Sequence, residues 1–185
     1  MNYPTVFDLI ANEFEKAGVV YALVGGFAVN AYHVARQTAD VDLLIAADDL
    51  KKAGQALEAS GYRKAVVADV VARFEGDGKR LMDIDLLLVD PETLRQIRED
   101  GKSVKIAGNE FRVPSLRHLI AMKLHAIKSD PSKRWAKDLP DIVALMEKNG
   151  LFLAEPGMEE LCKKFGTADI LIKLQEFLRE RPREK

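Results

Sequence analysis

The sequence predicts an α/β (α+β) fold, in which a mixed β-sheet is flanked by helices and followed by a C-terminal helical extension. Three observations predict it. In the first half, short apolar runs such as 19–24 and 41–46 alternate with apolar residues at helical spacing. A polar turn signal, Glu75-Gly76-Asp77-Gly78, then interrupts that alternation, as an antiparallel hairpin requires. From Ser115 onward the periodicity is helical throughout. A chain of 185 residues suits one sizeable core better than two ordinary domains. We therefore expect an α/β core over 1–113 and a helical subdomain over 114–185, packed on that core.

Taken in order, Pro4 suits a first helical turn, and Val6, Phe7, Ile10 and Phe14 recur at helical spacing until Gly18 stops them. The run 19–24, ending at Gly25-Gly26, has the look of a buried strand, and a helix to about residue 35 should follow it. Residues 41–46 form the next strand, and Asp48-Asp49 offers a cap for a helix that ends at Ser60-Gly61. Residues 62–74 and 80–89 read as two antiparallel strands. A short helix over 91–98 and a hairpin over 103–113, turning at Gly108-Asn109, complete the core. Three helices follow: one through Leu116, Leu119, Ile120, Leu124 and Ile127; one through Leu139, Ile142, Leu145 and Met146; and one spanning 161–178. Residues 179–185 read as a solvated end.

Composition excludes several functions. Lys and Arg number 28 against 29 Asp and Glu, so binding nucleic acid by bulk positive charge is ruled out. The single Cys162 cannot form an internal disulfide, and a cytoplasmic location is the expectation. No run approaches the roughly 18 to 20 apolar residues of a membrane span, and the first residues lack a secretory layout. His33, His118 and His125 are scattered without carboxylates at ligand spacing, which predicts no zinc site.

Three features carry chemistry. Asp40-Val41-Asp42 opens a strand, and because residues i and i+2 of a strand share a face, it presents two carboxylates side by side. Such anions raise one another's pKa unless a cation neutralises them, and their hard oxygens suit Mg²⁺. Asp83-Ile84-Asp85 repeats the arrangement inside an apolar strand, where a carboxylate demands a partner. Gly25-Gly26, free of Cβ atoms, lets backbone N–H groups approach an anion at the start of the next helix. Metal and anion cradle together imply a nucleotide.

The segment Leu23-Val24-Gly25-Gly26 through Arg36-Gln37-Thr38-Ala39-Asp40-Val41-Asp42-Leu43 resembles the signature of the polymerase-β-type nucleotidyltransferase superfamily. The Arg36-x-Thr38-x-Asp40-x-Asp42 form, with Lys123 and then Lys137-Asp138-x-x-Asp141, is similar to the AbiEii-type nucleotidyltransferases of toxin–antitoxin and phage-defence systems. The resemblance covers about 20–145 and implies a nucleotidyltransferase-like sheet. It also implies that Asp40, Asp42 and Asp85 are catalytic and bind Mg²⁺, as two ions, with Asp83 the alternative third carboxylate. Gly25, Gly26, Arg36, Thr38, Lys123 and Lys137 would bind the nucleoside triphosphate. Asp85 would take the acceptor's proton.

The acceptor is open at this stage. Six basic side chains (Arg117, Lys123, Lys128, Lys133, Arg134, Lys137) face two acidic ones between Ser115 and Pro140. They suit a triphosphate, an RNA acceptor such as tRNA, or plain solvent. An RNA acceptor would bring a toxin-like role and a cognate antitoxin as partner. Antibiotic-modifying enzymes of the same superfamily, and a catalytically silent nucleotide-binding module, are the competing readings. His33, on the helix after Gly25-Gly26, and Trp135 are further candidates for nucleotide contact. In a purely structural reading, Asp83 and Asp85 pair with Arg63, Arg73 or Lys79.

Overall fold

The computed structural model describes residues 3–77 and 81–180. Two compact units form. One comprises the chain up to Ala31 together with Arg36–Ser115, and the other Tyr32–Ala35 with the residues from Leu116 onward. The sequence places Tyr32–Ala35 in the first unit; the structure groups it with the helices.

The first unit is built on a five-stranded mixed sheet in the order β1-β2-β5-β4-β3. Its strands are β1 (Tyr21–Leu23), β2 (Asp40–Ala46), β3 (Arg63–Val67), β4 (Val71–Glu75) and β5 (Asp83–Val89). Only the central β2–β5 pair is parallel. Its members alternate half-buried carboxylates with buried Val41, Leu43, Ile84 and Leu86 before becoming more apolar along β2. Helices α1 (Val6–Ala17), α2 (Gly25–Asn30), α3 (Leu50–Ala59) and α4 (Pro91–Glu99) flank the sheet, and β6 (Lys102–Ile106) pairs with β7 (Asn109–Val113) in a separate hairpin. Phe14, Phe74 and Phe111 are fully buried in this unit.

Local chemistry sets the element ends. Thr5, not Pro4, begins α1: its hydroxyl accepts from Asp8 N–H while Asp8 reaches back to the Thr5 N–H, a capping box that leaves Pro4 outside the helix. Asp90 caps α4 by accepting from the Thr93 N–H, with Pro91 at the first helical position. Asp49 makes no side-chain cap for α3 and pairs instead with Lys52 at 2.7 Å.

Four further expectations are corrected. Residues 62–74 are not one strand but the hairpin β3–β4, closed where the Ala68 N–H donates to Val71 O; the turn residue Asp69 was hidden in a Val- and Ala-rich run. Helix α2 stops at Asn30 instead of about 35, so His33 lies beyond it, at φ 62°. The second hairpin turns at Ala107-Gly108, both at positive φ, with Ile106 opposite Asn109. In the helical unit, α5 (Leu116–Ser129) and α6 (Pro131–Lys148) precede α7 (Met158–Phe165) and α8 (Ala168–Glu180), because Gly166-Thr167 divides the stretch expected as one helix.

Ala107 occupies the left-handed region at φ 49°, where a Cβ costs roughly 1 kcal/mol and Asn or Gly is favoured. Ala107→Asn is expected to stabilise the protein by about 0.5–1 kcal/mol, readable as a rise in thermal midpoint of about 2–4 °C.

Candidate active site

The site grows from the register of two parallel strands. Asp40 lies opposite Asp83 and Asp42 opposite Asp85. Paired residues of a parallel ladder project to the same side, so all four carboxylates occupy one face at the start of β2 and β5. The pairing thus brings onto one face the two Asp-x-Asp pairs that the sequence places on their separate strands.

The glycines explain how these groups fit. Gly25 sits at φ 59°, and a Cβ built on it would fall 1.8 Å from Asp42 Oδ2. A Cβ on Gly26 would lie 2.7 Å from Thr38 Cβ. The bend therefore has no side chain because Asp42 and Thr38 fill that space. The Val24 N–H donates to Asp42 O at 2.9 Å, tying the bend to β2. The Thr38 hydroxyl donates to Asp40 Oδ1 at 2.7 Å and orients that carboxylate.

Asp83 and Asp85 are not equivalent. Arg73 on β4 stands opposite Asp85 in the antiparallel ladder. Its guanidinium donates to Asp83 Oδ2 at 2.9 Å and lies 3.6 Å from Asp85 Oδ2. The Gly76 N–H donates to Asp83 Oδ1 at 3.1 Å, so both Asp83 oxygens are engaged. The Arg73 hydrogen bond, then that of Gly76, holds Asp83 below the usual carboxylate range. Arg73 is shifted upward by the same bond, then by the charge of Asp85. Of the other cations proposed for these carboxylates, Arg63 pairs with Glu75, and Lys79 lies outside the described residues. Burial, with the charges of Asp83 and Asp77 adding to it, pushes up the phenol of nearby Tyr62, whose hydroxyl donates to Met82 O.

An open cleft of about 570 Å³ adjoins the glycine bend, lined by Phe27, Asn30, Arg36, Gln37, Thr38 and Ala39. Arg36 and Thr38 are thereby brought to one place. Asn30, which sequence reasoning missed, bonds the Arg36 main chain twice. Carboxylates at this face match Mg²⁺ in donor chemistry, and the Gly25 cradle shows that the fold keeps Asp42 in place at the bend. Among the described residues, no three His, Cys, Asp or Glu side chains converge at metal-holding distance, so ligation by all three proposed carboxylates requires side-chain rotation.

In the helical unit, Lys123 is 7% exposed and donates to Asp138 Oδ1 and Asp141 Oδ2, each at 2.7 Å. Asp138 and Asp141 stand three residues apart on α6 and so share a face. Asp138 Oδ2 is buried without a hydrogen bond, 3.8 Å from Arg134. Lys137 is exposed and Trp135 half-buried. Arg117 pairs with Glu155 and Lys133 with Asp130. Cys162 is fully buried, and its thiol is pushed up to about 11 by burial and then by Glu159, which keeps it unreactive.

This mixed sheet with flanking helices is the nucleotidyltransferase fold. The family described as uncharacterised nucleotidyltransferase matches residues 5–180, and the chain belongs to it. It is a nucleotidyltransferase. No curated protein matches the sequence. Among solved structures, the chain is similar to the antibiotic-resistance factor ANT(2'')-Ia in solution, at TM-score 0.57 and 18% identity, covering 95% of this chain and 90% of that one. It is similar to an antigenic nucleotidyltransferase-like protein from Paracoccidioides brasiliensis, at TM-score 0.55 and 20% identity over 94% and 86% of the two chains. A third likeness is to the lincosamide antibiotic adenylyltransferase LnuA, at TM-score 0.53 and 17% identity over 74% and 91%. Among the described residues, no helix is long and apolar enough to cross a membrane.

Gly25→Ala combines a disfavoured φ with displacement of Asp42, and nucleotidyl transfer is expected to fall by at least about 100-fold, with thermal unfolding lowered by only a few degrees. Asp83, depressed in the fold, contributes stability that is present above the unfolded carboxylate value of about 3.9 and is lost as pH falls through its folded value. Urea midpoints measured from about pH 5 to pH 2.5 should therefore fall less steeply in Asp83→Asn than in the parent.

Proposed function

We propose that the protein transfers a nucleoside monophosphate from a nucleoside triphosphate to an acceptor hydroxyl, with Asp40, Asp42 and Asp85 holding Mg²⁺. The observation that carries this reading is the fit of Asp42 into the space left by Gly25, opposite Asp85. With both Asp83 oxygens engaged by Arg73 and Gly76, Asp85 is the third carboxylate of choice.

When bound, Mg²⁺, as two ions, neutralises the triphosphate and stabilises the charge that develops during displacement. The remaining work belongs to the chain. The first N–H groups of α2 lack acceptors within the helix, and with Gly25 and Gly26 they face the phosphates. Arg36 and Thr38 line the nucleotide side of the cleft. Asp85 accepts the proton of the acceptor hydroxyl as its oxygen bonds to the α-phosphorus, and the bond to the departing pyrophosphate breaks.

For the acceptor, a small hydroxylated molecule is the reading we favour. Of the six cations between Ser115 and Pro140, Lys123 is interior, Arg117 and Lys133 pair with carboxylates, and Arg134 approaches Asp138, which weakens the case for a continuous track along a polynucleotide backbone. The similar structures named for antibiotic substrates also align over nine-tenths of their own length. A second reading is an RNA acceptor such as tRNA, with a toxin-like role and a cognate antitoxin. It is favoured by the likeness of Arg36-x-Thr38-x-Asp40-x-Asp42, Lys123 and Lys137-Asp138-x-x-Asp141 to AbiEii-type enzymes. In that reading Lys137, exposed on α6, and Lys123 serve the triphosphate.

The test is incubation with each α-labelled nucleoside triphosphate, with and without Mg²⁺, against total RNA and, separately, against aminoglycosides and lincosamides. Metal-dependent label on a small molecule is expected, and Asp42→Asn should lose at least about 100-fold of the rate while keeping the parent's circular dichroism. A labelled RNA band selects the second reading. No transfer to either class, together with triphosphate binding indifferent to Mg²⁺, overturns the proposal in favour of a silent nucleotide-binding module.

A further inference from the structure

We infer that Asn30 is a positioning residue for nucleotidyl transfer: its side-chain amide fixes the main chain at Arg36 and, through it, the Thr38 hydroxyl that orients Asp40. The inference rests on the active-site reading above.

Asn30 ends α2. Its Oδ1 accepts from the Arg36 N–H at 2.7 Å, and its Nδ2 donates to the Arg36 carbonyl at 3.0 Å. One side chain thus makes both bonds that a neighbouring strand would make to a single residue, setting that residue's position and its orientation. The chain leaves at Ala31 and returns at Arg36, and the departing end is held as well, by Lys102 Nζ donating to Ala31 O at 2.7 Å.

A second contact lies one helical turn earlier. Gly26 and Asn30 are four residues apart and share a face of α2. Gly26 abuts Thr38 as Asn30 binds Arg36. Four residues of helix rise about 6 Å, a spacing that two residues of extended chain also cover. Helix α2 and the segment entering β2 are therefore joined at two points, Gly26 to Thr38 and Asn30 to Arg36, and Asn30, Arg36 and Thr38 line the cleft. Thr38 in turn bonds Asp40 Oδ1. Releasing the Asn30 end removes one of the two points that join this segment to α2, so Thr38 and the Asp40 carboxylate it bonds shift together, and misplacement of a catalytic group by about 1 Å costs on the order of 100-fold in rate.

Asn also ends helices for purely local reasons, so a structural role must be told apart from a positioning one. Asn30 is exposed, and water replaces its amide when it is removed. Amide hydrogen exchange, thermal unfolding and steady-state kinetics are measured on the parent, Asn30→Ala and Asn30→Asp.

In Asn30→Ala the Arg36 amide is expected to exchange at least about tenfold faster while those of Leu43 and Leu86 keep their protection. Its kcat should fall about 10- to 100-fold, with a thermal midpoint within about 4 °C of the parent. Asn30→Asp keeps the acceptor for the Arg36 N–H and loses the donor, and should recover that amide's protection and part of kcat. An unchanged Arg36 exchange rate in Asn30→Ala overturns the clamp. Faster exchange with an unchanged kcat overturns the positioning role, as does a loss of kcat in both variants that merely follows unfolding. Failure of the underlying reading would show in the parent itself, as absence of transfer; failure of this inference shows only in the variants.

Discussion

Two parallel strands in register carry the pattern Asp-x-Asp at the same height, and the first unit is organised around the resulting crowd of negative charge. Such a face works against folding, because adjacent carboxylates repel and resist desolvation. The surroundings offset it unevenly. Asp83 takes the Arg73 guanidinium and the Gly76 N–H, Asp40 takes the Thr38 hydroxyl, and Asp42 is accommodated by the missing side chain of Gly25. Both oxygens of Asp83 are thereby engaged, while Asp42 lies against the glycine bend. An apolar face would be easier to stabilise, and the cost of holding these groups supports the proposed active site.

The helical unit shows the opposite treatment of charge. Lys123 is withdrawn from solvent and matched by Asp138 and Asp141 at equal distance. A buried ion group of this kind costs desolvation free energy that its hydrogen bonds must repay, and its usual benefit is a defined packing arrangement. Here it joins α5 to α6. A count of basic residues along the sequence overstates the cationic surface for this reason: a lysine in the interior adds nothing to the field that a polyanion would meet.

Much of the architecture was legible from sequence. The helical extension, the glycine bend and the placing of each Asp-x-Asp on one face of its strand follow from periodicity and from Gly, Pro and Asp at element ends, whereas the parallel pairing of β2 with β5 came only with the fold. What failed did so locally. Residues 62–74 read as one strand because Val and Ala are equally at home in both arms of the β3–β4 hairpin, and Asp69 alone marks its turn. Residues 31–35 are compatible with helix, and α2 nevertheless ends at Asn30, whose amide is used across the excursion.

By itself the sequence determined which side chains could do the chemistry, since residue type and i, i+2 spacing decide that two carboxylates share a face. It also determined that a bend without Cβ atoms would lie one helix before them. Only the tertiary structure decided which partners these groups take. That Arg73 binds Asp83 at the shorter distance, that Asp42 lies against Gly25, that Lys123 turns inward and that Asn30 reaches Arg36 all depend on distances between segments remote along the chain or joined through a turn. Periodicity fixes the face a residue occupies, whereas strand register and packing fix its partner, and partners set charge, orientation and reactivity.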